Sequence, residues 1–247
     1  MTVRLPLATI CVGHSWNASV YIVSMGVSHD SANSGSGTDG ELSATATPKH
    51  PWWALAALLL GLSMIIIDGS VVNVLLPTMV DDLDLTQTDA QWINSIYSLV
   101  FAALLITVGL LADKYGRRLL FITGIVIFIV GSIASGSSQN ADFLIAARAI
   151  QAVGASMMLP SSIAVINVLF TGRNRAVAFG LWGAVFGGAA ALGPLLGGWL
   201  AQDFSWRWAF YINIPIAVAS AIAVLLTVPE TKVPHVGKID IVGVLLS

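Results

Sequence analysis

The sequence predicts an all-α integral membrane protein, and three observations carry that prediction: a shortage of charge, six long apolar runs, and a one-sided placement of the bases. Of 247 residues only 11 are Lys or Arg and 13 are Asp or Glu, so 10% are charged, against about 25% in ordinary soluble domains. Apolar residues make up 56%, and mean hydropathy is +0.85. A soluble globule of this size could not cover its surface with so few charges. Acids outnumber bases, which excludes a nucleic-acid-binding domain built on clustered Lys and Arg. The single cysteine, Cys11, excludes a disulfide scaffold and a multi-cysteine metal site.

A helix needs about 20 mostly apolar residues to cross a hydrocarbon core of about 30 Å. Six runs qualify: Pro51 to about Val80, Ala90–Ala112, Leu119–Ala141, Phe143–Thr171, Ala176–Gln202 and Trp208–Pro229. Lipid offers no partner to an unpaired backbone group, so helices are the default. The alternating segments of about ten residues that mark a transmembrane barrel are absent. A seventh run starts at Ile241 and is cut off at Ser247, which reads as a span being opened in a truncated sequence.

Orientation follows from Lys and Arg in short loops. Lys114, Arg117 and Arg118 lie between spans two and three, Arg173 and Arg175 between four and five, Lys232 and Lys238 after six, and Arg4 and Lys49 before one. The opposite loops carry Asp81, Asp82, Asp84, Asp89, Asp142 and Asp203, with Arg207 their only base. Both ends are therefore expected in the cytoplasm.

Residues 1–50 differ in kind. Ser28–Pro48 is rich in Ser, Gly, Thr and Ala, the composition of a disordered tail. Met1–Val12 is only faintly like a signal peptide, Met25 is a second candidate start, and the Asn17-Ala18-Ser19 sequon falls on the cytoplasmic side. The expected organisation is a disordered cytoplasmic tail over 1–50, a six-span unit over 51–230, and over 231–247 a cytoplasmic linker with the start of a seventh span.

Two charges lie inside the runs. Asp68 is about 24 Å along span one, and Arg148 is about 9 Å below the outer end of span four, by the helical rise. The two reach comparable depths. A charge in the bilayer costs a few kcal/mol unless paired or hydrated, so such residues usually line a polar interior. One reading is a cavity with a carboxylate that takes up a proton as its surroundings dry, beside a fixed cation. The other is a static ion pair or a snorkelling Arg. Asn73 and Pro77 follow Asp68 on span one, and Gln151 lies one turn after Arg148. Such amides either bind substrate or hydrogen-bond neighbouring helices.

Span five is crowded with small residues, with Gly183, Gly187 and Ala191, then Gly193 and Gly197, at four-residue spacing. That spacing lets another helix approach closely. Pro194 removes one backbone donor there and should bend the helix. In the loop after span two, Asp113 and Arg117 are four apart, and Gly116 allows a tight turn.

From Gly109 to Arg118 the sequence resembles the major facilitator superfamily, whose signature between spans two and three is G-x-L-a-D-r-x-G-R-[RK]; only Lys114 replaces the usual Arg. Leu144–Ser156, with Arg148, Gln151 and Gly154, resembles the span-four R-x-x-Q-G-type motif. Gly193-Pro194-Leu-Leu-Gly197-Gly198 resembles the span-five antiporter motif, with Ala189 where that motif begins with Gly. Asp68-Gly-Ser70-Val-Val-Asn73-Val-Leu-Leu-Pro77 resembles the span-one D-x-T-V-V-N-V-A-L-P motif, with Ser70 for Thr and Leu75 for Ala. Together with Ser205-Trp-Arg207-Trp-Ala-Phe210-Tyr-Ile-Asn213-Ile-Pro215, it points to the fourteen-span drug:proton antiporters.

The resemblance covers about residues 51–247. It implies a six-helix transporter half made of two inverted three-helix repeats, with substrate held between this half and a second one missing here. It implies multi-pass residence in the cell membrane and export of small amphipathic or cationic compounds. The proton gradient would be the energy source, and no cofactor or metal is needed. Asp68 and Arg148, with Asn73 and Gln151, would form the proton-coupling cavity. Gly109, Asp113, Gly116, Arg117 and Arg118 would form a cytoplasmic gate, and Gly193, Pro194, Gly197 and Gly198 would govern helix packing. Alternating access needs two bodies, so this chain alone is expected to be inactive, its function belonging to a full-length parent. The alternatives are a nutrient symporter or facilitator of the same superfamily and a nontransporting half-bundle assembly partner. A membrane enzyme is not expected: His14, His29, His50 and His235 all lie outside the spans.

Overall fold

The computed structural model describes residues 50–230, and the expectations for the tail, the linker and the seventh run lie outside those residues. Seven helices account for nearly all of the described chain: α1 (Pro51–Leu83), α2 (Gln87–Tyr115), α3 (Arg117–Gly136), α4 (Ala141–Leu169), α5 (Gly172–Asp203), the short α6 (Trp208–Tyr211) and α7 (Asn213–Thr227). With α6 and α7 taken together, six are long and apolar enough to cross a membrane.

The helix ends follow local chemistry. Thr86 and Asp89 form a reciprocal capping box at the start of α2, each side chain accepting from the other's backbone N–H. The Asn140 carboxamide accepts from the Phe143 N–H at 2.9 Å to open α4. Gly116 closes α2 and opens α3 at φ 111°, a backbone setting that favours glycine. Most limits shift by a few residues from those read in the sequence, and two differences have a local cause. Span three ends at Gly136 rather than Ala141, because the Asn140 cap claims the following residues for α4. Span six is divided at Ile212; Pro215, early in α7, has no N–H to give the Tyr211 carbonyl. Pro194 does not interrupt α5.

Packing shows how the repeats are arranged. The most extensive interfaces are α3–α4, α2–α4, α1–α5 and α1–α7. Exchange of spans one, two and three for four, five and six maps α1–α5 onto α2–α4, and α3–α4 onto α7–α1. Spans one and four run in opposite directions if each helix crosses once, so the repeats are inverted. Glycines set the close contacts. A Cβ on Gly154 would lie 2.6 Å from the Gly124 carbonyl, and one on Gly131 would lie 2.6 Å from the Gln151 nitrogen, so α3 and α4 meet backbone to backbone. On α5, a Cβ at Gly193 would run into Ser70, and one at Gly197 would meet Val74 at 3.0 Å. The span-five motif therefore packs on the span-one motif. Gly180, Gly183, Gly187, Gly188 and Gly198 have open space instead.

Large aromatics crowd the helix ends. Trp52 and Trp53 are exposed at the start of α1; at the other end of the unit Trp199, Phe204, Trp208 and Tyr211 touch edge to face. That is the pattern of interfacial aromatic belts.

Candidate functional site

Buried among α1, α3, α4 and α7 is a polar cluster centred on Asp68. The charged pair is almost fully enclosed, Asp68 at 2% exposure and Arg148 at 1%. Arg148 Nη1 donates to Asp68 Oδ2 at 2.6 Å and to Gln151 Oε1 at 2.9 Å. The other carboxylate oxygen, Oδ1, accepts two amides: Gln151 Nε2 at 2.7 Å and Asn213 Nδ2 at 2.8 Å. Asn213 Nδ2 also reaches Ser132 Oγ at 3.1 Å, and that hydroxyl donates to the Phe210 carbonyl at 2.8 Å. Two buried atoms here have no partner among the described residues, Arg148 Nε and Asn213 Oδ1.

Local sequence explains the arrangement. Arg148 and Gln151 are three apart on α4 and share a face. Gly131 lets α3 press against α4 at Gln151, which brings Ser132 to the cluster. The break at Ile212 places Asn213 at the start of α7.

Of the four residues expected in the cavity, the fold brings Asp68, Arg148 and Gln151 together. Asn73 is placed apart: it is exposed, donates to the Gly69 carbonyl at 2.9 Å and accepts from Asn94 at 2.6 Å. Asn213, Ser132 and Tyr97 were not singled out as site residues. The Tyr97 ring lies against the Arg148 guanidinium, 4.2 Å from its carbon. For Asn213 the available signal was its place in the motif before span six.

At the opposite end of α2, Asp113 and Arg117 pair at 3.0 Å across the Gly116 break, and Arg117 Nη1 donates to the Ala164 carbonyl of α4 at 3.2 Å. The bridge needs no continuous helix. Gly109 faces Pro160 of α4, a Cβ there lying 4.0 Å away, while Arg118 is half-buried with no side-chain hydrogen bond found. Of the span-five residues, Gly193 and Gly197 are buried against α1, whereas Pro194 is exposed and Gly198 is half-buried.

Arg207, the exceptional base among the acidic loops, is also paired. Its Nη1 donates to Asp82 at 2.8 Å and its Nη2 to the Ser138 carbonyl at 3.2 Å, while Trp206 Nε1 donates to the same carboxylate at 2.9 Å. The ties join the end of α1 to the α3–α4 loop and the α5–α6 connection. Among the described residues no cluster of three or more His, Cys, Asp or Glu could hold a metal.

A sequence profile described as Major Facilitator Superfamily matches residues 58–243. Puromycin resistance protein pur8 of Streptomyces alboniger is 38% identical over 197 residues, 79% of this chain and 39% of that protein. Multidrug efflux pump LfrA of Mycolicibacterium smegmatis is 37% identical over 210 residues, 85% of this chain and 42% of that protein. The chain thus spans about two fifths of the length of these curated relatives. Among solved structures, a bacterial homologue of the human lysosomal transporter Spinster matches with a TM-score of 0.64, at 20% identity over 78% of this chain and 46% of that one; this likeness bears on the fold alone. With a profile match across most of its length and relatives well above 30% identity, this chain belongs to the Major Facilitator Superfamily.

Proposed function

We propose that this six-helix unit is the N-terminal half of a proton-driven exporter of small amphipathic or cationic compounds, working in the cell membrane with its N-terminus in the cytoplasm. The observation that carries the reading is the division of labour between the two oxygens of Asp68. Oδ2 holds the cation Arg148, and Oδ1 holds two neutral amides. A proton added at Oδ2 removes the negative charge and the acceptor that Arg148 uses. It leaves Oδ1 a carbonyl oxygen, still able to accept from Gln151 and Asn213. Proton binding thus releases the cation without dismantling the rest of the cluster. Arg148 keeps Gln151 Oε1 as an acceptor.

An ion pair that opens and closes on one proton is the local event an antiporter needs, provided the two states differ in helix packing. The contacts that would move are at hand. Asp68 lies on α1, whose neighbouring residues Ser70 and Val74 carry Gly193 and Gly197 of α5. The Asp113–Arg117–Ala164 ties at the other end are suited to a gate that opens and shuts, since the carboxylate of the pair remains within reach of water and surface pairs are worth only about 0–1 kcal/mol. Alternating access takes two bodies rocking about a site, so the working transporter includes a second half. The names of the relatives, a puromycin resistance protein and a multidrug efflux pump, support export as the direction.

The test uses the transporter containing this sequence in inside-out vesicles, with drug accumulation driven by an imposed proton gradient. Asp68→Asn is expected to bring accumulation to the empty-vesicle level while the protein remains in the membrane at the wild-type amount. Proton-driven accumulation at the wild-type rate in that variant would overturn the assignment.

A further inference from the structure

Tyr97 on α2 takes no part in the hydrogen bonds of the carboxylate, yet it touches the cation that does. Its ring centroid lies 4.2 Å from Arg148 Cζ, within the range of a cation–π contact. Its hydroxyl is buried and has no partner among the described residues, where buried hydroxyls are nearly always hydrogen-bonded. The same side chain lines a cavity of about 210 Å³, together with Leu62, Ile65, Gly69, Phe101 and Phe186. The Phe101 ring is parallel to the Tyr97 ring, 4° from coplanar at 6.3 Å. Phe186 stacks on Trp182 at 4.1 Å, and the Trp182 indole nitrogen is a second buried donor without a partner. Gly69 keeps one wall flat: a Cβ there would meet nothing within 4 Å.

A space of this size is below the roughly 300–1,000 Å³ of sites that enclose a whole drug-sized molecule. It holds part of one. Its walls are aliphatic and aromatic, with unused donors from Tyr97 and Trp182 nearby, which suits a flat ring bearing at most one acceptor.

Resting on the export reading above, we propose that this cavity is the subsite for a flat aromatic portion of the exported compound. Tyr97 is the positioning residue through which occupancy of the cavity and the Asp68–Arg148 pair sense each other. One ring forms a wall of both. With Asp68 ionised, the carboxylate holds Arg148, and Arg148 holds the Tyr97 ring where it shapes the cavity. A proton on Asp68 frees Arg148 and loosens that wall, so the aromatic group binds less well. By linkage, the bound group in turn disfavours the proton. The charged or titratable groups facing the carboxylate are Arg148 from α4 and Tyr97 from α2; α3 and α7 bring the neutral Ser132 and Asn213.

The test uses the purified transporter containing this sequence, in lipid nanodiscs, and the neutral probe 2-naphthol. Binding is measured by equilibrium dialysis against empty nanodiscs, and protonation of Asp68 is followed by its infrared carboxyl band, assigned with Asp68→Asn. Saturable binding is expected, at least about fivefold tighter with Asp68 ionised than protonated, the lower end of usual coupling between sites. Tyr97→Phe keeps that dependence, Tyr97→Leu abolishes it, and Gly69→Leu fills the cavity and removes binding while the Asp68 band still titrates. The proposal is overturned by no saturable binding to the wild type, by unchanged binding in Gly69→Leu, or by a fivefold dependence that survives in Tyr97→Leu. The export reading fails separately, in the vesicle assay, if Asp68→Asn still pumps.

Discussion

Asp68 and Arg148 stand 80 positions apart in the chain and 2.6 Å apart in the fold, each enclosed almost completely. Removing one partner of such a pair strands the other, at a cost of about 3–5 kcal/mol, whereas replacing both by apolar groups is often neutral. Asp68→Leu and Arg148→Met should therefore each lower the thermal unfolding midpoint of the detergent-solubilised protein strongly. The double variant should lose much less than the sum, with a coupling above about 1 kcal/mol, as expected for groups in direct contact. Simple additivity would mean that the pair is not formed in the solubilised protein. This part of the site was legible in the sequence, because a charge inside an apolar run is costly and Gln151 sits three residues from Arg148. Asn213, Ser132 and Tyr97 were not. A single amide, hydroxyl or ring in a span has many ordinary roles, and only the folding of α3 and α7 against α4 decides which one it plays.

The helices themselves were easier to read, since a run of about 20 apolar residues admits few structures in lipid. Their packing was only half legible. The glycine-rich span five announced close approach, but its sequence did not say which glycines are in contact. Gly193 and Gly197 meet Ser70 and Val74 of α1, whereas Gly183 and Gly187 face open space. The sharpest interface, where Gly124 and Gly154 bring α3 against α4, carried no glycines at four-residue spacing to mark it. The contrast gives a direct expectation. Gly154→Val and Gly193→Val force atoms into backbone or a fixed side chain, and should destabilise the six-helix unit by about 1–3 kcal/mol or more, the usual cost of overpacking. Gly187→Val should leave its unfolding midpoint unchanged within error. Equal losses at all three positions would show that the α5 glycines matter through backbone conformation rather than contact. Gly116 belongs to a different class: at φ 111° and buried between α2 and α3, it is fixed by the turn itself.

For the whole unit, the placement of charge and the packing symmetry make one joint statement about orientation. The inverted repeat requires successive spans to alternate in direction, so the α2–α3 and α4–α5 connections share one side and the α1–α2, α3–α4 and α5–α6 connections the other. Lys114, Arg117, Arg118, Arg173 and Arg175 all fall on the first side. The base that breaks the rule, Arg207, is neutralised by Asp82 and tied to the Ser138 carbonyl, so it contributes little free positive charge to the second. The positive-inside rule then predicts that the first side faces the cytoplasm. Replacing Cys11 by Ser leaves no cysteine in the chain, and single cysteines at two exposed sites, Gln139 in the α3–α4 loop and Asn174 at the start of α5, report the two faces. On intact cells a membrane-impermeant maleimide should label Gln139→Cys at once and Asn174→Cys only after permeabilisation. The reverse pattern would invert the unit, turning the Asp113–Arg117 pair outward and the Asp82–Arg207 ties inward. Labelling of both from outside would mean that at least one of the six helices does not cross.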